Sequence, residues 1–276
     1  METETQAGKV GSSINYYVIG IIAFTLLVYT VGNALEPDVD SELDFFEVTL
    51  VMGFAAAAIF AFITTKRYWG SKVFGRAYLA LALGYTSYCV GWVLWFVYEI
   101  SYQVENPYPY YPDIGYFGFF PFALYHLRTN IAYFKRKLDT RQKLVLISIP
   151  VCASLGYLIL GIVPLDSSGG IFKLEIQSMP AYDFEFYKEL VTGFAFVFVT
   201  SLVFSYAIIG TQIFRNTVLG SAWGLLLGGF SLNAFADIPY YYFELFGVFE
   251  RAMPMTGLWM ASTMIVCYAL YKHRAL

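Results

Sequence analysis

The sequence predicts an all-α polytopic membrane protein of eight transmembrane helices, and three observations carry that expectation. Hydrophobic residues make up 58% of the 276-residue chain and charged residues only 13%, a balance outside the range of soluble domains. The apolar residues fall into eight runs, each near the ~20 residues that a helix needs to cross a bilayer. Lysines and arginines gather on alternate connections between those runs instead of spreading evenly.

In chain order the runs are Ile14 to Leu35, Phe45 to Thr65, Ala77 to Tyr98, Ile114 to Phe134, Leu144 to Val163, Leu190 to Ile213, Leu219 to Phe235 and Met255 to Tyr271. A cleaved leader would pair a basic start with a short apolar core, whereas here an acidic, polar start leads into a full-length run, so the first helix is expected to stay. A membrane β-barrel would show short alternating segments, and these runs are long and continuous. Residues 1–13 and 272–276 read as tails flanking one transmembrane domain over 14–271. The longest connection, Pro164 to Glu189, holds Asp166-Ser-Ser-Gly-Gly170 and then the alternating Ile171 to Ile176, which reads as a small hairpin or a surface helix.

Charge orients the bundle. Placing both tails and the segments around Lys66 to Arg76, Lys135 to Lys143 and Arg215 on one side, with Arg128 near the same end of its run, collects 14 of the 17 lysines and arginines there with three acids, Glu2, Glu4 and Asp139. The positive-inside rule makes that side cytoplasmic and puts the chain in the cell membrane. The other side keeps Lys173, Lys188 and Arg251 against 17 acids, including Glu36, Asp38, Asp40, Glu42 and Asp44.

The stretch from Asn106 to Phe122, NPYPYYPDIGYFGFFPF, is the most unusual in the chain. Pro107, Pro109 and Pro112 make a stiff, non-helical approach to the membrane. Asp113 is expected to be the N-cap of the fourth helix, with tyrosines at headgroup depth. Pro121, two turns inside, removes a backbone bond and is expected to kink the helix.

Trp95-Phe-Val-Tyr98-Glu99, then Pro107-Tyr-Pro109, Asp113, Tyr116 and Phe120-Pro121, resembles the multi-pass membrane modules found N-terminal to bacterial and archaeal diguanylate cyclases and histidine kinases. Ala236-Asp237 with Tyr240 is similar to a later step of the same pattern. The chain departs from it where Trp92 follows Gly91, and the few residues after the last run lead to the expectation of a module without its own output domain. The resemblance implies a sensory or ligand-binding module whose signal passes to a cytoplasmic or membrane partner.

The candidate ligand-binding residues are Trp95, Glu99, Asp113, Tyr116, Asp237, Tyr240 and Glu244, all near the acidic ends of the third, fourth and seventh runs. Ionisable groups at membrane depth are costly and mark function, and carboxylates among aromatic faces suit a small cationic or aromatic ligand. The structural alternative is an interfacial, hydrated set that only caps helices. Asn233 shares a helix face with Asp237 and is expected to bond another helix, and Glu47 is placed to join the same cup. Gly224, Gly228 and Gly229 are expected to permit close helix contact.

Enzymatic chemistry is not expected. His126 and His273 make no ligand pattern for metal or haem, Ser87 and Ser231 sit in no nucleophile elbow, and no HExxH signature exists. No span holds the central lysine that retinal requires, and Cys89, Cys152 and Cys267 have no CxxC spacing. No cofactor and no nucleic-acid partner are expected, while membrane lipid is. Two other functions stay open: a cation- or proton-coupled transporter or channel using Glu99, Asp113 and Asp237, and an intramembrane lipid hydrolase.

Overall fold

Small residues decide which faces of these helices meet. Along the second helix Ala57, Ala61, Thr64 and Thr65 are buried, while Met52, Ile59 and Phe62 face outward. That is the reverse of a water-soluble helix and suits surroundings as apolar as leucine, where packing rather than water exclusion joins helices. The computed structural model describes residues 16–35, 45–102, 109–162, 183–217, 220–246 and 255–275. These form eight helices: α1 Tyr16–Leu35, α2 Phe45–Arg67, α3 Phe74–Tyr102, α4 Tyr111–Phe134, α5 Thr140–Ile162, α6 Phe184–Phe214, α7 Gly220–Leu245 and α8 Met255–Ala275. Among the described residues there is no strand.

Four stretches, Val48–Arg67, Phe74–Tyr98, Thr140–Ile162 and Phe184–Phe214, are long and apolar enough to cross a membrane. On α5 the outward side is a continuous stripe of Leu144, Ile147, Val151, Leu155, Ile159 and Ile162. An exposed apolar face of that length belongs in lipid, not in water.

Six helices close a ring in the order α2, α3, α4, α6, α7, α8, with α8 returning to α2. Opposite members are α2 and α6, α3 and α7, α4 and α8. Exchanging α2–α3–α4 for α6–α7–α8 leaves the ring order unchanged. The remaining two helices break the equivalence, because α1 lies chiefly on α8 and α5 chiefly on α6. Long side chains fill the ring. Tyr85 meets Phe119 at 5.0 Å between ring centres and Phe119 meets Phe230 at 6.4 Å, an apolar layer between two more polar ends.

The ends are chemically distinct. Lys66 and Arg67 close α2, and the short links 68–73, 135–139 and 215–219 bring neighbouring helices back antiparallel. The ends of α2, α4, α6 and α8 therefore share a basic end with the starts of α3, α5 and α7. Asp139 and Gln142 start α5 with reciprocal bonds, the Gln142 N–H donating to Asp139 Oδ1 at 2.9 Å and the Asp139 N–H to Gln142 Oε1 at 3.3 Å.

Several helices run longer than the apolar runs, α6 starting at Phe184 and α3 ending at Tyr102, and three further boundaries differ for a visible reason. The seventh helix continues ten residues past Phe235 to Leu245, through Pro239, because Asp237 finds partners on neighbouring helices and need not break the helix. The last helix runs through Lys272 to Ala275, and His273, expected in a tail, is buried. The fourth begins at Tyr111 with Tyr110 as its N-cap, so Asp113 stands at the third helical position and reaches back to accept from the Tyr110 N–H at 2.6 Å. Pro112 inside the first turn, where no backbone donor is needed, moves the start upstream of the aspartate. The connection expected to be a hairpin lies outside the described residues up to 182.

Candidate functional site

Glycine brings α3 and α4 together at the acidic end. A Cβ on Gly115 would stand 2.6 Å from the Cα and N of Gly91, and one on Gly91 would stand 2.7 Å from the Tyr116 ring. The backbones meet directly, and Ser87 Oγ locks the approach by donating to the Gly115 carbonyl at 2.8 Å. The close contact fixes Tyr116 against α3, 5.6 Å from Trp92 and 5.1 Å from Tyr88 between ring centres, with Trp95 next to Trp92 at 6.2 Å.

Asp237 is 1% exposed and stands at the junction of three helices. Thr200 Oγ1 of α6 and Asn233 Nδ2 of α7 each donate to its Oδ2 at 2.7 Å, and the Trp259 indole N–H of α8 donates to its Oδ1 at 2.7 Å. Three donors and no acceptor match the acceptor-only, ionised carboxylate. Among the described residues no lysine or arginine forms an ion pair with it; the ion pairs there are Lys135–Asp139 and Lys188–Glu185, both partly exposed. Asn233, expected to bond another helix, serves the aspartate one turn along its own.

One turn further on, the Tyr240 side chain is hydrogen-bonded to the Glu244 carboxylate and packs 5.0 Å from Trp259. Glu244 lies within electrostatic reach of Asp113 and Glu189, and Tyr88 within reach of both Asp113 and Asp237. The acids of α4, α6 and α7 thus share one end of the ring interior.

The named candidates divide by surroundings. Tyr116 and Trp95 pack into the α3–α4 contact, Asp237 is enclosed in its knot, and Tyr240 and Glu244 pair above it. Asp113 lines an open groove of about 670 Å³ between α4 and α6, with Tyr110, Phe117, Thr192 and Phe196 among its walls. Glu99 lies on α3 and Glu47 on α2, and the side chains of both fall outside what is described.

Sequence reasoning missed Thr200 and Trp259, whose roles depend on helices far apart in the chain. It also placed the close glycine contacts of α7 on three positions where one makes them. A Cβ on Gly229 would stand 2.5 Å from Val266, while Gly224 and Gly228 face open space. Neither Ser87 nor Ser231 bonds a histidine, since each donates to a backbone carbonyl. No group of three or more metal-ligating side chains occurs among the described residues. Comparison with family models, with curated proteins and with solved structures found no match.

Proposed function

We propose that this chain is a non-enzymatic, eight-span sensory or ligand-binding module of the cell membrane, with both termini and the basic end in the cytoplasm. Its ligand is an organic cation with an apolar body, taken at the acidic end. The observation that supports this reading is Asp237, a carboxylate enclosed by three donors from three helices, with no cation bonded to it among the described residues. A buried anion so held projects a field into low-dielectric surroundings, and Asp113 and Glu244 stand within reach to add to it. The aromatic faces of Tyr88, Tyr116, Trp92 and Tyr240 suit a cation there, and the groove beside Asp113 has the apolar walls for its body.

The resemblance to input modules of cyclases and kinases agrees with sensing rather than transport, and so does the apolar layer of Tyr85, Phe119 and Phe230 between the two ends. A partner at the basic end would receive the signal. Binding of tetraphenylphosphonium to the protein in nanodiscs tests the site. Asp113→Asn keeps an acceptor for the Tyr110 N–H but removes the charge, and is expected to weaken binding by about 1.5–3 kcal/mol. Equal binding by the folded variant would remove Asp113 from the site, and uptake into proteoliposomes in place of simple binding would favour a transporter. For topology, cysteines at Lys72 and Arg136 are expected to label only from the cytoplasm and one at Glu185 only from outside, in a cysteine-free background.

A further inference from the structure

The chain has two histidines, and both are enclosed at the basic end: His126 is 0% and His273 1% exposed. They come from α4 and α8, which face each other across the ring. Tyr78 of α3 and Trp223 of α7, also opposite members, complete the group. Tyr78 stands 4.9 Å from His126 and 5.5 Å from His273 between ring centres, and Trp223 stacks on His126 at 5.9 Å. Four rings from four helices therefore fill one level of the interior, in two facing pairs.

Their polar atoms are unequally served. His126 Nδ1 lies 3.0 Å from the Ala77 carbonyl, which can only accept, so that nitrogen carries the proton and Nε2 is left as a lone pair. The Asn130 amide donates to the His126 carbonyl at 2.8 Å. Five buried polar atoms then have no protein partner: His126 Nε2, Asn130 Oδ1, Trp223 Nε1 and both ring nitrogens of His273. Folded proteins pair nearly all such atoms with protein, ordered water or an ion.

The character of the five decides among fillers. With neutral imidazoles they comprise three acceptors, His126 Nε2, Asn130 Oδ1 and one His273 nitrogen, and two donors, the Trp223 N–H and the other His273 nitrogen. A metal ion would satisfy only the acceptors. Among the described residues it would also enter without a carboxylate to balance it, at the end where the lysines and arginines collect, and burying an uncompensated charge is prohibitive. Water donates and accepts, and such a mixed set is what buried water occupies.

The geometry points to a site for ordered water between His126 and His273, closed by Asn130 and the Trp223 N–H, that joins α4 to α8 across the ring. The site is independent of ligand binding at the acidic end. It ties the last turn of α8, where Tyr68 also donates to the His273 carbonyl at 2.8 Å, to the interior of the bundle.

Because the protein has two histidines, ¹⁵N-histidine labelling of the full chain in nanodiscs reports on this site alone. Water-edited solid-state NMR is expected to show magnetisation passing from water to the imidazole nitrogens of both residues, with His126→Phe leaving only the His273 signals. Native protein whose imidazoles receive nothing from water would overturn the inference, as would nitrogen shifts that revert on chelator treatment and so reveal a metal. Asn130→Leu gives a second reading by sign. A hydrated site predicts a lower Tm and a weaker water signal at His126, and a dry one predicts an unchanged or raised Tm. The measurement on unaltered protein decides even where that variant fails to fold.

Discussion

At the acidic end Asp237 accepts hydrogen bonds from three side chains, whereas at the basic end five polar atoms around His126 and His273 find no side chain or backbone partner. Both groups lie in the same six-helix ring and both are buried, so burial alone does not separate them. The difference is chemical. An ionised carboxylate accepts only, and tryptophan, threonine and asparagine donors converge on it from three helices. Neutral imidazoles need a donor and an acceptor each, which fixed side chains satisfy poorly and a rotating water satisfies well. One end is a knot made of protein and the other a seat for solvent.

The sharpest way to break the contrast is Asp237→Ala. It orphans three donors at once, and with about 0.6–1.7 kcal/mol per intramembrane bond the loss should be about 2–5 kcal/mol, read as a fall in unfolding midpoint in detergent. A loss below that of a single bond would mean that the knot is not what joins α6, α7 and α8. Gly115→Ala probes the other joint of the acidic end. The added methyl meets the α3 backbone and not a movable side chain, so a cost of about 1–3 kcal/mol is expected in the same assay, with weakened ligand binding.

At the basic end Trp223→Phe removes one donor while keeping the stacked ring. If water serves that donor, the water regains its bond elsewhere, and the expected loss is about 0–1 kcal/mol. A loss as large as that of Asp237→Ala would erase the distinction between the two ends. The smallest effect is expected at Asp139, outside the spans. The Gln142 backbone N–H, and after it the Lys135 ammonium, hold its carboxyl below its ordinary value of 3.8. A depressed folded-state value means that its contribution is present above the unfolded value and is lost as pH falls through the folded one. Carboxyl NMR should place the titration midpoint below 3.8, and Lys135→Ala should raise it slightly.

The sequence made most of the fold legible because apolar run length is a one-dimensional signal. Five of the eight runs end within three residues of the observed helix ends. It failed where a polar residue sits inside a helix by grace of distant partners. The three tyrosines after Pro239 look like a loop until Thr200 and Trp259 are seen holding Asp237, and His273 looks like a tail residue until Tyr78 packs on its ring and Tyr68 bonds its carbonyl. The acids of the site were readable as a group by their shared end, but their division between knot, pair and groove was not, since helix rotation is set by contacts such as Gly91 on Gly115. The Asp139-Thr-Arg-Gln142 start of α5 was available in the sequence as an acid followed three residues later by glutamine.

The ring closes through α8, the last helix of the described chain, which also carries α1. Gly53 of α2 packs on Thr263, Thr64 donates to the Leu270 carbonyl and Thr25 of α1 donates to Met264. The Thr64 hydroxyl also has the Phe60 carbonyl of its own helix at 2.8 Å, so what α8 adds to the first two helices is contact across the ring. The ring therefore cannot close until α8 is in place. A bundle that lacks α8 is an open crescent, and one late addition converts it into a closed ring.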